Sequence, residues 1–249
     1  SKLVLDYWLV GIIQRMGKRL VLSTLFIVAI VGGYLIYRAM RPGANRSLAL
    51  MQWFRDKDAH PEWAMRAGQR CGDAPFTFPT DGYIGFLWDD SFRPGHRHQG
   101  IDIFAGTEVG VTPVYAAYDG YLTRLPDWKA SVIMRVPSDP LRPSRQIWLY
   151  YTHMATQGGQ SFISADFPPG TSEVFVPAGA LLGYQGNYSG DPNNPTGIHL
   201  HFSIVLDDGR GKFRNELEIA NTLDPSPYLG LPLNGRDNVD TIPVCGNDG

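Results

Sequence analysis

From Phe76 onward the chain is written in short apolar runs: YIGFLW at 83–88, VYAAYDGYLTRL at 114–125, SVIMRV at 131–136, QIWLYYTHM at 146–154, EVFVPAGALLGY at 173–184 and IHLHFSIVL at 198–206. Clusters of Gly, Pro, Asn and Asp separate them, and helical periodicity is nearly absent. The runs therefore predict strands of a mainly β, antiparallel domain, a sandwich or partly open barrel. Such a domain can gather ligands from neighbouring strands on one face, because alternate residues of a strand share a side. No internal repeat or low-complexity tract interrupts the pattern.

The N-terminal part follows a different rule. The uncharged run Leu20 to Tyr37 lies between Lys18 and Arg19 on one side and Arg38 and Arg41 on the other. At about 1.5 Å per residue its roughly 18 residues reach about 27 Å, near the thickness of a bilayer's hydrocarbon core, with Tyr34 and Tyr37 placed for the interface. It predicts a single transmembrane helix over 20–37; a cleaved signal peptide would be shorter and would show a small-x-small cleavage site. Residues 1–19 are apolar with polar breaks and end in Arg15, Lys18 and Arg19, which suits a segment lying on the membrane surface, resting on a partner, or simply extending the helix. Residues 38–75 read as a spacer that opens on the breaker Pro42-Gly43 and holds one short amphipathic helix with Leu48, Leu50, Met51, Trp53 and Phe54. The β domain then occupies 76–230 and a tail 231–249.

Composition narrows the classes. With 249 residues and 43% hydrophobic content there is room for one membrane element and one sizeable core. A formal net charge of −2 supplies no basic field, so nucleic-acid binding is not expected. The two cysteines, Cys71 and Cys245, bracket the β domain; they predict either a disulfide closing nearly all of it or two buried thiols. Positive charge flanks the apolar run on both sides and leaves its orientation open. A disulfide would put the C-terminal domain outside the cytoplasm, where such bonds persist.

The candidate chemistry sits in histidines. Five of the six fall in three clusters, HRHQGID at 96–102, YTHM at 151–154 and HLHF at 199–202. His98 and Asp102 stand four apart across a glycine, and His199 and His201 lie two apart on one face of a strand, as metal ligands would. His60 stands in a polar stretch and reads as solvated. His96 has three readings: a substitute ligand, a partner of a ligand, or a surface side chain beside Arg97.

In order along the chain, HQGID, TPVYAAYDGYL, YTHM, PAGALLGYQGN and TGIHLHF resemble the lysostaphin and LytM type of zinc endopeptidase over about residues 76–206. The resemblance implies a zinc ion held by His98, Asp102 and His201, with His153 and His199 near it as catalytic, non-ligating histidines. Three protein ligands leave one position open, the mark of a catalytic rather than a structural zinc. The implied substrate is the short peptide cross-link of peptidoglycan, often with glycine near the scissile bond. Three departures bear on substrate preference: the insert SGDPNNP at 189–195, the long hairpin around PSDPLRPSR at 137–145, and Ser203 where an acidic residue is common.

Two functional expectations follow. One is a membrane-anchored zinc metalloendopeptidase acting on peptidoglycan just outside the cytoplasmic membrane. The other is an accessory subunit of a larger membrane complex that uses a peptidase-like domain for docking, with residues 1–40, including Gly32 and Gly33, binding membrane-protein partners as well as lipid.

Overall fold

The computed structural model describes residues 23–36, 44–91 and 95–245. The chain divides into two units, Ser1–Ala44 and Asn45–Gly249. In the first, residues 23–36 form a helix, α1, with exposed apolar side chains that include Leu25, Phe26 and Ile30. Among the described residues no helix is long and apolar enough to cross a membrane. The predicted span 20–37 includes α1, and its residues 20–22 and 37 lie outside the described residues. So do the surface segment 1–19 and the spacer's first residues, 38–43.

The second unit is built on strands. After helix α2 (Ala44–Arg55) come β1 (Ala64–Met65), β2 (Gly82–Phe86), β3 (Ile101–Phe104), β4 (Pro113–Tyr115), β5 (Gly120–Thr123), β6 (Val132–Val136), β7 (Ile147–Thr152), β8 (Val174–Val176), β9 (Leu181–Tyr184), β10 (Leu200–Leu206), β11 (Thr222–Leu223) and the one-turn helix α3 (Ser226–Leu229). The larger sheet runs β1-β2-β3-β10-β7-β6-β5-β8, with β11 also on β10, and a small second sheet pairs β4 with β9. Every strand pairing in both is antiparallel, as the sequence predicts.

Period-two alternation sorts the side chains of the large sheet. Ile101 and Ile103 of β3, Leu149 and Tyr151 of β7, and Leu200, Phe202 and Ile204 of β10 all enter the main core. Their alternates, Asp102, Tyr150, Thr152, His201 and Ser203, therefore share the opposite face. On that face two smaller clusters flank the polar residues. On one side α2 lays Ala49, Leu50 and Trp53 on Tyr83 and Phe104; on the other, Ile133, Trp148, Tyr150 and Val205 pack together.

Helix α2 forms because ANRSLALMQWFR is rich in strong helix formers after a Pro-Gly break, and it docks because Ala49, Leu50 and Trp53 fall on one side while Leu48 and Met51 stay exposed. Beyond its end, His60 is not simply solvated: it stacks on Trp63 with ring centroids 3.7 Å apart and meets Gln52 Nε2 at 3.0 Å. Sequence alone treats it as a free polar residue, since nothing local marks Trp63 as its partner.

Cys71 and Cys245 form a disulfide with Cα atoms 5.4 Å apart, spanning 174 residues. The chain-entropy model makes a closed loop of this size worth up to about 5 kcal/mol at 25 °C. The double variant Cys71→Ala/Cys245→Ala is expected to fold but to lose several kcal/mol of stability, read from urea midpoints. An unchanged midpoint would show that the loop is constrained by something other than the bond.

Candidate metal centre

The centre is assembled by strand register. In the antiparallel pairing of β10 with β3, His201 stands opposite Asp102, and in its pairing with β7, His201 stands opposite Thr152. Directly opposed residues project on the same face, so the carboxylate and the imidazole meet without help from any loop. His98 arrives from the turn before β3. The glycine between these ligands has a steric reason: a Cβ on Gly100 would lie 2.2 Å from the backbone oxygen of Phe202 and 2.8 Å from Cβ of Ser203. Only a bare backbone lets the His98 turn lie this close to β10.

Three atoms converge. Asp102 Oδ1 is 3.0 Å from His98 Nε2 and 2.8 Å from His201 Nδ1, and the two ring nitrogens are 3.0 Å apart. Two ligands of one tetrahedral zinc, each bonded at about 2.0–2.1 Å, stand about 3.3 Å apart, so this triangle is near the right size. Tautomer agrees with size. His98 Nδ1 donates to the Leu87 carbonyl at 2.9 Å, which leaves Nε2 as the nitrogen that would give up its proton and ligate a metal. The two nitrogens and one carboxylate oxygen, all on buried or nearly buried residues, suit zinc in chemical type as well.

His153 and His199 flank this triangle. His199 Nδ1 donates to Gly197 O at 2.7 Å and its Nε2 faces Asp102 Oδ1 at 3.5 Å. His153 Nδ1 donates to Tyr188 O at 2.6 Å. Their rings lie 4.5 Å apart between centroids. His153 sits just past the end of β7 with φ +72, a left-handed backbone that non-glycine residues rarely adopt and that costs of order 1 kcal/mol. Gly186 makes room for that turn, since a Cβ there would come within 2.5 Å of His153 O and 2.2 Å of Ala155 O. Thus the glycine of YQGN supports the histidine of YTHM.

The electrostatics of the metal-free protein follow from burial and from Asp102. Burial opposes ionisation of Asp102, yet His98 and His199, with hydrogen bonds from His199 and His201, hold its carboxyl well below the usual range. Burial likewise works against a charge on His98, but Asp102 and the Leu87 carbonyl outweigh it and raise the ring. Burial lowers His201, only partly offset by Asp102. His153, buried and repelled by the neighbouring His199, is pushed down to about 3 and is neutral at neutral pH.

A cleft of about 440 Å³ opens over these residues. Its walls add a group that the motifs do not announce: Ser131 Oγ lies 3.0 Å from Tyr150 Oη and 2.7 Å from Thr152 Oγ1. The signal was available, because Tyr150 and Thr152 alternate on one strand immediately before His153. Ser203, opposite Tyr150 in register, is fully buried, and among the described residues its hydroxyl has no hydrogen-bond partner. Tyr188, Ser189 and Gly190, where the 189–195 insert begins, line the cleft, whereas the 137–145 hairpin does not. That hairpin is tied instead to α3, where Asp139 accepts from Arg145 at 2.6 Å and from Tyr228 Oη at 2.9 Å. His96 is outside the ligand triangle, its ring 6.5 Å from that of His98.

No family model matches the sequence, and no curated protein matches it. Among solved structures the chain is similar to Csd3 of Helicobacter pylori, at 19% identity over 62% of this chain and 34% of that one, with a TM-score of 0.38. It is similar to the catalytic domain of the antimicrobial peptidase lysostaphin from Staphylococcus simulans, at 19% identity over 60% and 90%, with a TM-score of 0.38. A third is a putative glycyl-glycine endopeptidase lytM from Ruminococcus gnavus, at 22% identity over 68% and 62%, with a TM-score of 0.38. The chain thus spans about a third of the Csd3 chain.

Two outcomes are expected from this geometry. Gly100→Ala forces a methyl group into the Phe202 carbonyl, so it should lower the melting temperature and weaken metal binding together; retention of both would contradict the close approach. The second concerns pH. A histidine with a folded pKa near 3 binds fewer protons than its unfolded counterpart, near 6.5, so the metal-free protein loses stability as pH falls through that window. The contribution from His153 approaches about 1.4 kcal/mol per pH unit within it. Urea midpoints of wild type and His153→Gln between pH 4 and 6 measure it: the variant's slope should be shallower, and equal slopes would mean that His153 is not held neutral.

Proposed function

We propose that this chain is a membrane-anchored zinc endopeptidase that hydrolyses peptide cross-links of peptidoglycan. The observation that carries the reading is the convergence of His98 Nε2, Asp102 Oδ1 and His201 Nδ1 on one point at the floor of a cleft, with two further histidines beside them. Zinc bound there would polarise a peptide carbonyl and acidify water. The motif resemblance of HQGID, YTHM and HLHF supplies the substrate class.

The remaining roles belong to side chains of this chain. His153 and His199 each spend Nδ1–H on a backbone carbonyl, and Nε2 of the neutral His153 ring is left able to take up a proton during hydrolysis and return it to the leaving amine. Burial and its neighbours keep His153 neutral, as a proton acceptor must be. The hydroxyls of Ser131, Tyr150 and Thr152 offer donors and acceptors to a peptide backbone lying along the cleft. The disulfide supports a location outside the cytoplasm, and the apolar run 20–37 an anchor in the membrane.

The test separates binding from chemistry. Metal analysis of the purified full chain should give one zinc, lost in His98→Ala, Asp102→Ala and His201→Ala. His153→Ala and His199→Ala should keep the zinc and lose hydrolysis of a peptidoglycan peptide by about 10²–10⁴-fold. Full activity in both histidine variants, or zinc retained in all three ligand variants, would remove the assignment.

A further inference from the structure

The turn carrying His98 is held by an element outside all three histidine clusters. Three backbone or ring groups of His98 are fixed by residues 87–90: Nδ1–H by the Leu87 carbonyl at 2.9 Å, the backbone N–H by the Asp90 carbonyl at 2.8 Å, and the carbonyl by the Asp89 N–H at 2.8 Å. The Asp90 side chain closes this turn on itself, because its Oδ2 accepts the N–H of Leu87 at 2.6 Å. That same oxygen takes Nη2 of Arg46, in the first turn of α2.

Arg46 is committed on every side. Nε donates to Gly85 O at 3.1 Å and Nη1 to Asn238 O at 3.4 Å, while its own carbonyl accepts the hydroxyl of Tyr83 at 2.9 Å. The side chains of Arg46 and Asp90 are 2% and 10% exposed. The neighbouring carboxylate, Asp89, pairs instead with Arg97 and Arg236, whose side chains are 43% and 64% exposed and so are screened by solvent. The Arg46 pair is the one out of water, where removal of one partner leaves an uncompensated charge.

We propose that Arg46 is a positioning residue for the metal centre: through Asp90 it fixes the Leu87 carbonyl and the His98 backbone, and so sets zinc affinity from α2. The inference rests on the zinc reading above. Its physical basis is that one residue, Leu87, is gripped at its N–H by Asp90 and grips His98 with its carbonyl. Freeing Asp90 loosens both ends of that relay, and loss of a group that orients a ligand commonly weakens metal affinity 10–100-fold.

The experiment uses the full chain in detergent. Zinc dissociation constants are read by competition with a chromophoric chelator at a temperature where each protein is folded, alongside melting temperatures of the metal-free forms. Arg46→Met should weaken zinc on the order of tenfold. Arg145→Met, which breaks the pair to the fully buried Asp139, should lower the melting temperature while keeping wild-type zinc affinity. Should Arg46→Met not fold, Arg46→Met/Asp90→Asn, which leaves no unpaired buried carboxylate, decides in its place and should weaken zinc likewise. Wild-type affinity in the Arg46 variant that folds overturns the inference while leaving the zinc reading intact; a wild-type protein that binds no zinc overturns the zinc reading and this inference with it.

Discussion

The antiparallel register of β3 against β10 is the constraint on which the centre depends. It places His201 directly opposite Asp102, and because side chains alternate, a slip of β10 by one residue would send His201 into the apolar core and bring Leu200 or Phe202 to the cleft. The two faces of the sheet therefore enforce each other. Burial of Ile101, Ile103, Leu200, Phe202 and Ile204 on one side fixes the register that the polar side requires.

That coupling explains how the domain tolerates so much buried polarity. His98, Asp102, His199 and His201 are all buried or nearly so, a costly arrangement if any stood alone. Each is instead matched: backbone carbonyls take the Nδ1–H groups of His98, His153 and His199, and Asp102 Oδ1 faces His98 Nε2 and His201 Nδ1. The result is a site whose ring orientations are set before any ligand arrives, because rotation of one ring would strand a donor away from its carbonyl.

The mainly β character and the strands that carry chemistry were legible in the sequence, since alternation in IHLHFSIVL and QIWLYYTHM specifies both a strand and its two faces. The grouping of His98, Asp102 and His201 was legible through the motif resemblance, whereas the steric need for Gly100 emerges only where it meets Phe202 of β10. Other features were not. Arg46 and Asp90 are 44 residues apart, with nothing local to join them, and the stacking of His60 on Trp63 depends on a turn that propensity does not define. The path of the 137–145 hairpin was hidden for a related reason: Asp139 finds Tyr228 across 89 residues, a long-range pairing that no periodicity records. Short-range patterns speak of faces and turns; long-range ion pairs are decided by the completed fold.

The disulfide sets how the domain bears mechanical load. A pull applied between residue 70 and the end of the tail travels across the Cys71–Cys245 bond, so residues 72–244, with nearly the whole sheet and the metal centre, carry no tension. Helix α2 and β1 lie on the other side of that covalent short circuit. A force transmitted from the N-terminal side would peel α2, held by its apolar stripe and the Arg46–Asp90 pair, while strands β2 to β11 stay at rest.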